Sequence, residues 1–304
     1  MDPELKDLGL PGQTLGWLLD PNDPSPRYLT LTKLLGKSDD SPSARTARAA
    51  IPRAAPARDI LQAQYPQGYW MHPGIGSSPR YRATLWQILI LAQLGMNRCG
   101  PLDRAVQYLF EVNQREDGAF RASKEPGDVP ISLNASLLWA LQTLGYGEEV
   151  EVRSAWSWLV DEVERRTQAK RWRRRPASPW EVKVLWAVNA RLDCQTPQPA
   201  DGDPLGDTVL DDGCLIGPRL RGLRACLAGS LASRSPRPGE RDPRWFRLTF
   251  PQLEGSDLLE WLTVLVDAGY GHDPRLGHAK AWLRRHVAAG AYPGQALGRC
   301  GRPR

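Results

Sequence analysis

Apolar and polar positions recur along this chain with the period of an α-helix, in two distinct patterns. Four segments are apolar on most faces, which is typical of buried helices; they cover residues 80–94, 131–144, 179–191 and 256–268. Five segments carry one apolar stripe opposite charged residues, which is typical of outer helices; they cover residues 57–64, 102–113, 152–165, 218–233 and 274–287. Because the two kinds alternate, the pattern predicts an all-α fold of about four to five helical hairpins in two layers.

A short motif recurs where outer segments end. Residues 64–70 have the sequence Gln-Tyr-Pro-Gln-Gly-Tyr-Trp, residues 114–120 have Gln-Arg-Glu-Asp-Gly-Ala-Phe, and a degenerate third copy begins at His286. The first two copies start 50 residues apart, at Gln64 and Gln114, which suits one helical hairpin with its connections. Leu-Trp pairs also recur, and they predict matched inner-helix positions of comparable depth for Trp86, Trp139, Trp186 and Trp261.

The ends of the chain and one internal segment depart from the repeat. Residues 1–54 contain short helical pieces between Pro-rich and Asp-rich turns, and we expect them to form an N-terminal helical cap. Residues 55–304 then form the repeat domain, in which the Pro-, Asp- and Gly-rich residues 193–213 are predicted to be an exposed insertion. No fifth inner helix follows the last outer one, so the array is either open or truncated.

The Gln-x-x-x-Gly-x-Trp segments resemble the QW motifs of the squalene-hopene cyclase branch of the terpenoid cyclase and protein prenyltransferase superfamily. The resemblance implies an incomplete α/α toroid with two concentric layers of helices. It also implies a central cup that binds or processes an apolar, isoprenoid-like ligand. The candidate cup residues lie on or just before the inner segments: Trp86, Asn134, Trp139, Glu181, Trp186, Asp257, Glu260 and Trp261.

The catalytic motifs of that superfamily are absent or incomplete in this sequence. Neither the Asp-x-Asp-Asp acid of the cyclases nor the Asp-Asp-x-x-Asp metal-diphosphate motif occurs. Asp212 and Cys214 resemble two zinc ligands of prenyltransferase β subunits, but no histidine is placed to supply a third. We therefore expect no metal and no cofactor. Whether the protein is an enzyme stays open, and the alternative is a non-catalytic helical-repeat scaffold that binds a peptide or protein partner.

Composition and charge change this picture little. The net charge is +6, but the excess is mostly arginine in a Pro-, Ala- and Gly-rich background, so we expect no nucleic-acid partner. The basic residues 170–175 are predicted to be a solvated turn, with diphosphate or membrane-surface binding as the functional alternative. Five scattered cysteines argue against a disulfide framework. Because no targeting or transmembrane segment is visible, we expect a cytoplasmic protein, for which peripheral membrane contact and any oligomeric state stay open.

Overall fold

The computed structural model describes residues 12–125, 127–169, 172–193, 216–237, 243–253 and 255–288. Within these ranges the chain forms twelve α-helices with short 3-10 and π-helical turns and no β-strand, so the all-α prediction is confirmed. The helices are α1 (Gly12–Leu18), α2 (Pro24–Leu29), α3 (Pro42–Ala50), α4 (Ala57–Gln62), α5 (Thr84–Gln93), α6 (Gly100–Asn113), α7 (Ile131–Leu144), α8 (Val150–Thr167), α9 (Pro179–Asp193), α10 (Ile216–Ser233), α11 (Leu258–Leu265) and α12 (Gly277–Ala288).

The helices from α5 onward alternate between two environments. Helices α5, α7, α9 and α11 pack against one another in succession, and each also contacts the helix that follows it along the chain. Nine of the ten residues of α5 are buried, as its apolar sequence predicts. Helix α6, by contrast, buries one stripe, formed by Leu102, Ala105, Val106, Leu109 and Asn113. The distinction between all-round apolar and amphipathic segments therefore corresponds to a real difference in burial.

Two predicted inner segments are shorter than their apolar patterns. Helix α5 begins at Thr84 and not at residue 80, because Tyr81 has a φ of +63°, which a right-handed helix excludes. Helix α11 ends at Leu265 and continues as a π-helical turn, Val266–Tyr270, in which Gly269 has a φ of +89°. In both cases a residue with a left-handed backbone conformation limits the helix. The pattern of hydrophobic residues alone does not predict where such a residue lies.

The core consists of two hydrophobic clusters that meet at α9. The first joins the cap to the early hairpins and includes Tyr28 and Ile51, both at most 5% exposed. The second joins the last hairpins and includes Trp261 and Leu265, which are fully buried. Helix α9 contributes residues to both clusters, so it links the two halves of the described core.

Several sequence predictions fall on residues that the structure does not describe. Of the predicted insertion at residues 193–213, only Asp193, the last residue of α9, lies within the described ranges. The third motif copy extends from His286 past the last described residue, Ala288. Among the helices that are described, none has the length and apolarity needed to cross a membrane.

Candidate functional site

The glutamine of the repeated motif joins successive outer helices in the same way in both copies. The Nε2 of Gln64 donates to the carbonyl of Pro101 at 2.8 Å, and the Nε2 of Gln114 donates to the carbonyl of Glu151 at 2.7 Å. Each acceptor lies 37 residues further on, in the first turn of α6 or α8. Each amide also donates to the carbonyl of its own motif glycine, at 3.2 and 3.0 Å respectively.

The motif glycine is required because the next outer helix approaches its backbone directly. Gly68 and Gly118 have φ values of +96° and +91°. A Cβ at Gly68 would lie 2.3 Å from the carbonyl oxygen of Arg104, and one at Gly118 would lie 2.6 Å from that of Ser154. A side chain is thus excluded both by sterics and by the left-handed conformation.

The aromatic residue of the motif joins the turn to the following inner helix. The backbone N–H of Trp70 donates to Thr84 Oγ1 at 3.1 Å, and that of Phe120 donates to Asn134 Oδ1 at 2.7 Å. Both acceptors lie 14 residues further on, so the 50-residue spacing extends into the inner helices. Trp70 also donates from its indole Nε1 to the carbonyl of Ile60 at 2.7 Å.

This 50-residue register corrects the alignment of the Leu-Trp pairs. Trp86 and Trp139 are 53 residues apart, so Ser136 and not Trp139 corresponds to Trp86. All four tryptophans do lie on α5, α7, α9 and α11, but their depths differ. Trp86 and Trp261 are at most 2% exposed, whereas Trp139 and Trp186 are only partly buried. The latter two stack face to face, with ring centroids 3.9 Å apart. The Leu-Trp pairs at Trp86 and Trp139 therefore do not occupy equivalent positions of the repeat.

Asn134, another predicted cup residue, is fully buried and serves the fold. Besides accepting from Phe120, its Nδ2 donates to the carbonyl of Phe120 at 2.9 Å and to that of Pro130 at 3.0 Å. Trp86 likewise donates from Nε1 to the carbonyl of Ser77 at 2.6 Å. These bonds fix the loops before α5 and α7 against the helix starts.

The three predicted cup carboxylates are buried and hydrogen-bonded within the protein. Glu181 forms an ion pair with Arg234. Glu260 forms one with Lys183, whose Nζ lies 2.6 Å from Oε1. Asp257 caps α11 by accepting from the backbone N–H of Glu260 at 2.9 Å. Burial raises the pKa of the Glu260 carboxyl, an effect that Lys183 opposes.

The loop before α11 crosses to the first hairpin and fills the space beside these residues. The carbonyl of Gln252 accepts from Gln93 Nε2 at 2.9 Å and from Lys183 Nζ at 3.3 Å. Its N–H donates to Gln93 Oε1 at 2.7 Å. Helix α5 and the segment before α11 are thereby joined directly. Three cavities, of about 960, 450 and 680 Å³, are lined by none of the eight predicted cup residues.

The most apolar of those cavities is a groove of about 680 Å³ between the cap and this loop. Of the sixteen residues that line it, only Asp23 is charged. Trp17 of α1 and Phe250 lie at its edge and are each 63% exposed. Its other apolar lining includes Leu18, Leu29, Leu34, Ile51 and Leu94.

Sequence reasoning missed this groove because its residues come from segments without a repeat pattern. The cap helices are short, and Phe250 belongs to an irregular loop. Its prolines Pro24, Pro26 and Pro56 lie at the starts of α2 and α4, where proline is tolerated, so they carry no signal of a groove either.

A metal centre is not formed by the residues that the structure describes. No group of three or more His, Cys, Asp or Glu side chains in those ranges is placed to hold a metal ion. Asp212 and Cys214, the weak zinc candidates, lie outside the described residues, so the expectation about them stays a prediction. Comparisons of the chain with protein-family models, curated proteins and solved structures found no match.

Proposed function

We propose that the protein is an incomplete α/α toroid of the terpenoid cyclase type that binds an apolar, isoprenoid-like ligand. The toroid is supported by the glutamine and glycine contacts, which recur at 50-residue spacing between successive outer helices. It is also supported by the hydrogen bonds between Gln93 and Gln252, which join the first inner helix, α5, to the segment that precedes the last one, α11. A curved array would bring these two segments together, whereas a straight one would separate them.

The observation that carries the ligand proposal is the apolar groove at the edge of this array. Its volume of about 680 Å³ lies within the range of small-molecule sites, and its lining has one charge among sixteen residues. The exposed rings of Trp17 and Phe250 are costly in water, and an apolar chain would shield them. The buried carboxylates of Glu181, Asp257 and Glu260 form ion pairs or a helix cap, so the proposal assigns binding and no reaction.

The proposal is tested by displacing a fluorescent apolar probe, N-phenyl-1-naphthylamine, from the purified protein with farnesol. We expect Phe250→Ser to weaken farnesol binding about tenfold, since removing roughly 55 Å² of apolar contact costs about 1.4 kcal/mol. Val150→Ser is the matched control, because Val150 is also 63% exposed but does not line the groove. Equal affinities in the two variants, or no displacement by farnesol, would contradict the proposal.

A non-catalytic scaffold is the second candidate function. It is favoured by Leu259 and Val266, which are 48% and 50% exposed. They are seven residues apart, about two helical turns, on α11 and the π-helical turn that follows it. An apolar stripe of this kind suits the face of a partner helix. The Leu259→Ser, Val266→Ser double variant would then lose a protein partner in a crosslinking assay while it keeps farnesol binding.

A further inference from the structure

A second and larger cavity lies between the end of α10 and the start of α12. Its volume is about 960 Å³, and it is separate from the apolar groove, with which it shares no lining residue. Five of its fourteen lining residues are basic: Arg234, Arg237, Arg244, Arg275 and His278. The described lining includes no Asp or Glu. Such a concentration of guanidinium groups in a concave site favours an anion.

Two of these arginines form ion pairs with acids that are not among the lining residues. Arg234 pairs with Glu181 and donates to Ser230 Oγ at 2.8 Å. Arg275 pairs with Asp273, which accepts from Nε at 2.9 Å and from Nη2 at 2.6 Å. Because a guanidinium group has five N–H donors, an ion pair along the Nε edge of Arg275 leaves its Nη1 outside that pair. Asp273 therefore orients Arg275 without using all of its donors, whereas Nε, Nη1 and Nη2 of Arg234 all donate to groups of the protein.

Aromatic rings form another part of the wall. Trp245 is 7% exposed, and Phe246 packs on Trp282 with ring centroids 5.2 Å apart. Trp282 in turn stacks on His286 at 3.8 Å. A flat or apolar group that enters the cavity would therefore meet a surface of rings whose positions are already fixed by packing.

We infer that this cavity binds a small organic phosphate, with the phosphate held by arginine and the organic body against Trp245 and Phe246. Arginine is suited to this task because its planar fork donates two parallel hydrogen bonds to a phosphate or carboxylate. The volume, about 960 Å³, accommodates a ligand with both parts. The site is independent of the isoprenoid groove and does not depend on that proposal.

Isothermal titration with 2-naphthyl phosphate, 2-naphthol and inorganic phosphate tests the inference on the full-length protein. Each charge-assisted hydrogen bond contributes enough to change affinity about tenfold or more. We therefore expect 2-naphthyl phosphate to bind at least about tenfold more tightly than 2-naphthol or inorganic phosphate. Equal binding of 2-naphthol and its phosphate, or no binding of the phosphate, would overturn the inference.

Two arginines in one turn provide the variant and its control. Arg244 lines the cavity and Arg247 does not, and both are exposed, so the two variants are compared with each other and the thermal melt of each is recorded. Arg244→Ala should weaken binding of 2-naphthyl phosphate about tenfold, while Arg247→Ala should leave it unchanged. Equal weakening would indicate general surface charge, and displacement by a single-stranded oligouridylate without terminal phosphates would indicate a nucleic-acid surface. Either result would contradict a small-molecule site.

Discussion

The ion pair between Lys183 of α9 and Glu260 of α11 is the most informative feature to perturb. The Lys183 side chain is 0% exposed and the Glu260 side chain 5%, and their atoms Nζ and Oε1 are 2.6 Å apart. Lys183 also lies over the ring of Trp186, with Nζ 4.9 Å from the ring centroid. The substitution Lys183→Met keeps most of the side-chain volume and removes the charge.

Lys183→Met lowers the unfolding free energy because it leaves the Glu260 carboxylate buried without its ion-pair partner. The Oε2 atom of Glu260 has no hydrogen-bond partner among the described residues, so the carboxylate would lose its main compensation inside the core. The carbonyl of Gln252 would keep its bond from Gln93. Breaking one side of a buried pair costs about 3–5 kcal/mol of unfolding free energy, nearly all of it from the unpaired charge.

The double variant Lys183→Met, Glu260→Leu separates that cost from the value of the pair. Because apolar residues of similar volume often replace buried ion pairs without loss, we expect the double variant to unfold within about 1 kcal/mol of the wild type. Urea unfolding followed by circular dichroism gives all four free energies. The control is Arg165→Ala, which removes a surface pair with Glu162 at 2.8 Å and should cost less than about 1 kcal/mol. If the double variant loses the sum of the two single losses, the reasoning is refuted.

The same carboxyl gives the pH dependence of stability a definite sign. Burial raises the pKa of Glu260 above its ordinary value of 4.5, so the folded protein holds this proton more tightly than the unfolded chain does. The stabilisation that the protonated Glu260 carboxyl contributes is fully present below pH 4.5, and it is lost as the pH rises through the pKa of Glu260 in the folded protein. Urea unfolding at pH 4.5, 6 and 7.5 should therefore show the wild type losing stability relative to Glu260→Gln as the pH rises. A gain over this range would contradict the assignment.

The remaining predictions concern the repeat contacts and use the same urea assay. Gln114→Ala should cost about 1–2 kcal/mol, because it removes two side-chain hydrogen bonds to backbone carbonyls. Gly118→Ala should cost more than about 2 kcal/mol, since the new Cβ would meet the backbone of Ser154 at a φ of +91°. Gly222 lies on α10, and a Cβ added there would have no neighbouring atom within 4 Å, so Gly222→Ala should instead raise the unfolding free energy by about 0.5–1 kcal/mol. Trp70→Ala should cost about 3–5 kcal/mol because the ring is 3% exposed, and an unchanged midpoint would contradict its role in the motif.

Sequence patterns predicted much of the secondary structure because helix boundaries and burial depend largely on residues within one segment. The apolar run at residues 131–144 matches α7 residue for residue, since its ends, Pro130 and Gly145, stop a helix on both sides. The 50-residue spacing of the motif likewise recurs in the contacts that Gln64 and Gln114 make with the next outer helix. Equivalence between Trp86 and Trp139 failed because a buried helix accepts tryptophan at several positions, so the residue type does not determine the register.

The candidate site was less predictable because it depends on contacts between distant segments. Nothing in the sequence near Phe250 indicates that it approaches Trp17, more than two hundred residues earlier in the chain. Similarly, the sequence predicts Glu181 and Glu260 as cup residues at the starts of inner helices. Their ion-pair partners, Arg234 and Lys183, lie on other helices and are identified only when the chain is folded.

The pairing of these acids also supports proposing the groove, and not the interior, as the ligand site. A ligand that entered between α9 and α11 would have to separate Lys183 from Glu260. One that entered between α7 and α9 would have to disrupt the stack of Trp139 on Trp186. Separating the ion pair alone would cost several kcal/mol, which is comparable to the whole binding energy of a micromolar ligand, about 8 kcal/mol. The groove is already open, and occupying it would bury exposed rings without breaking any of these contacts. A ligand in the groove would therefore break fewer contacts than one between α9 and α11, which is why the groove carries the binding proposal.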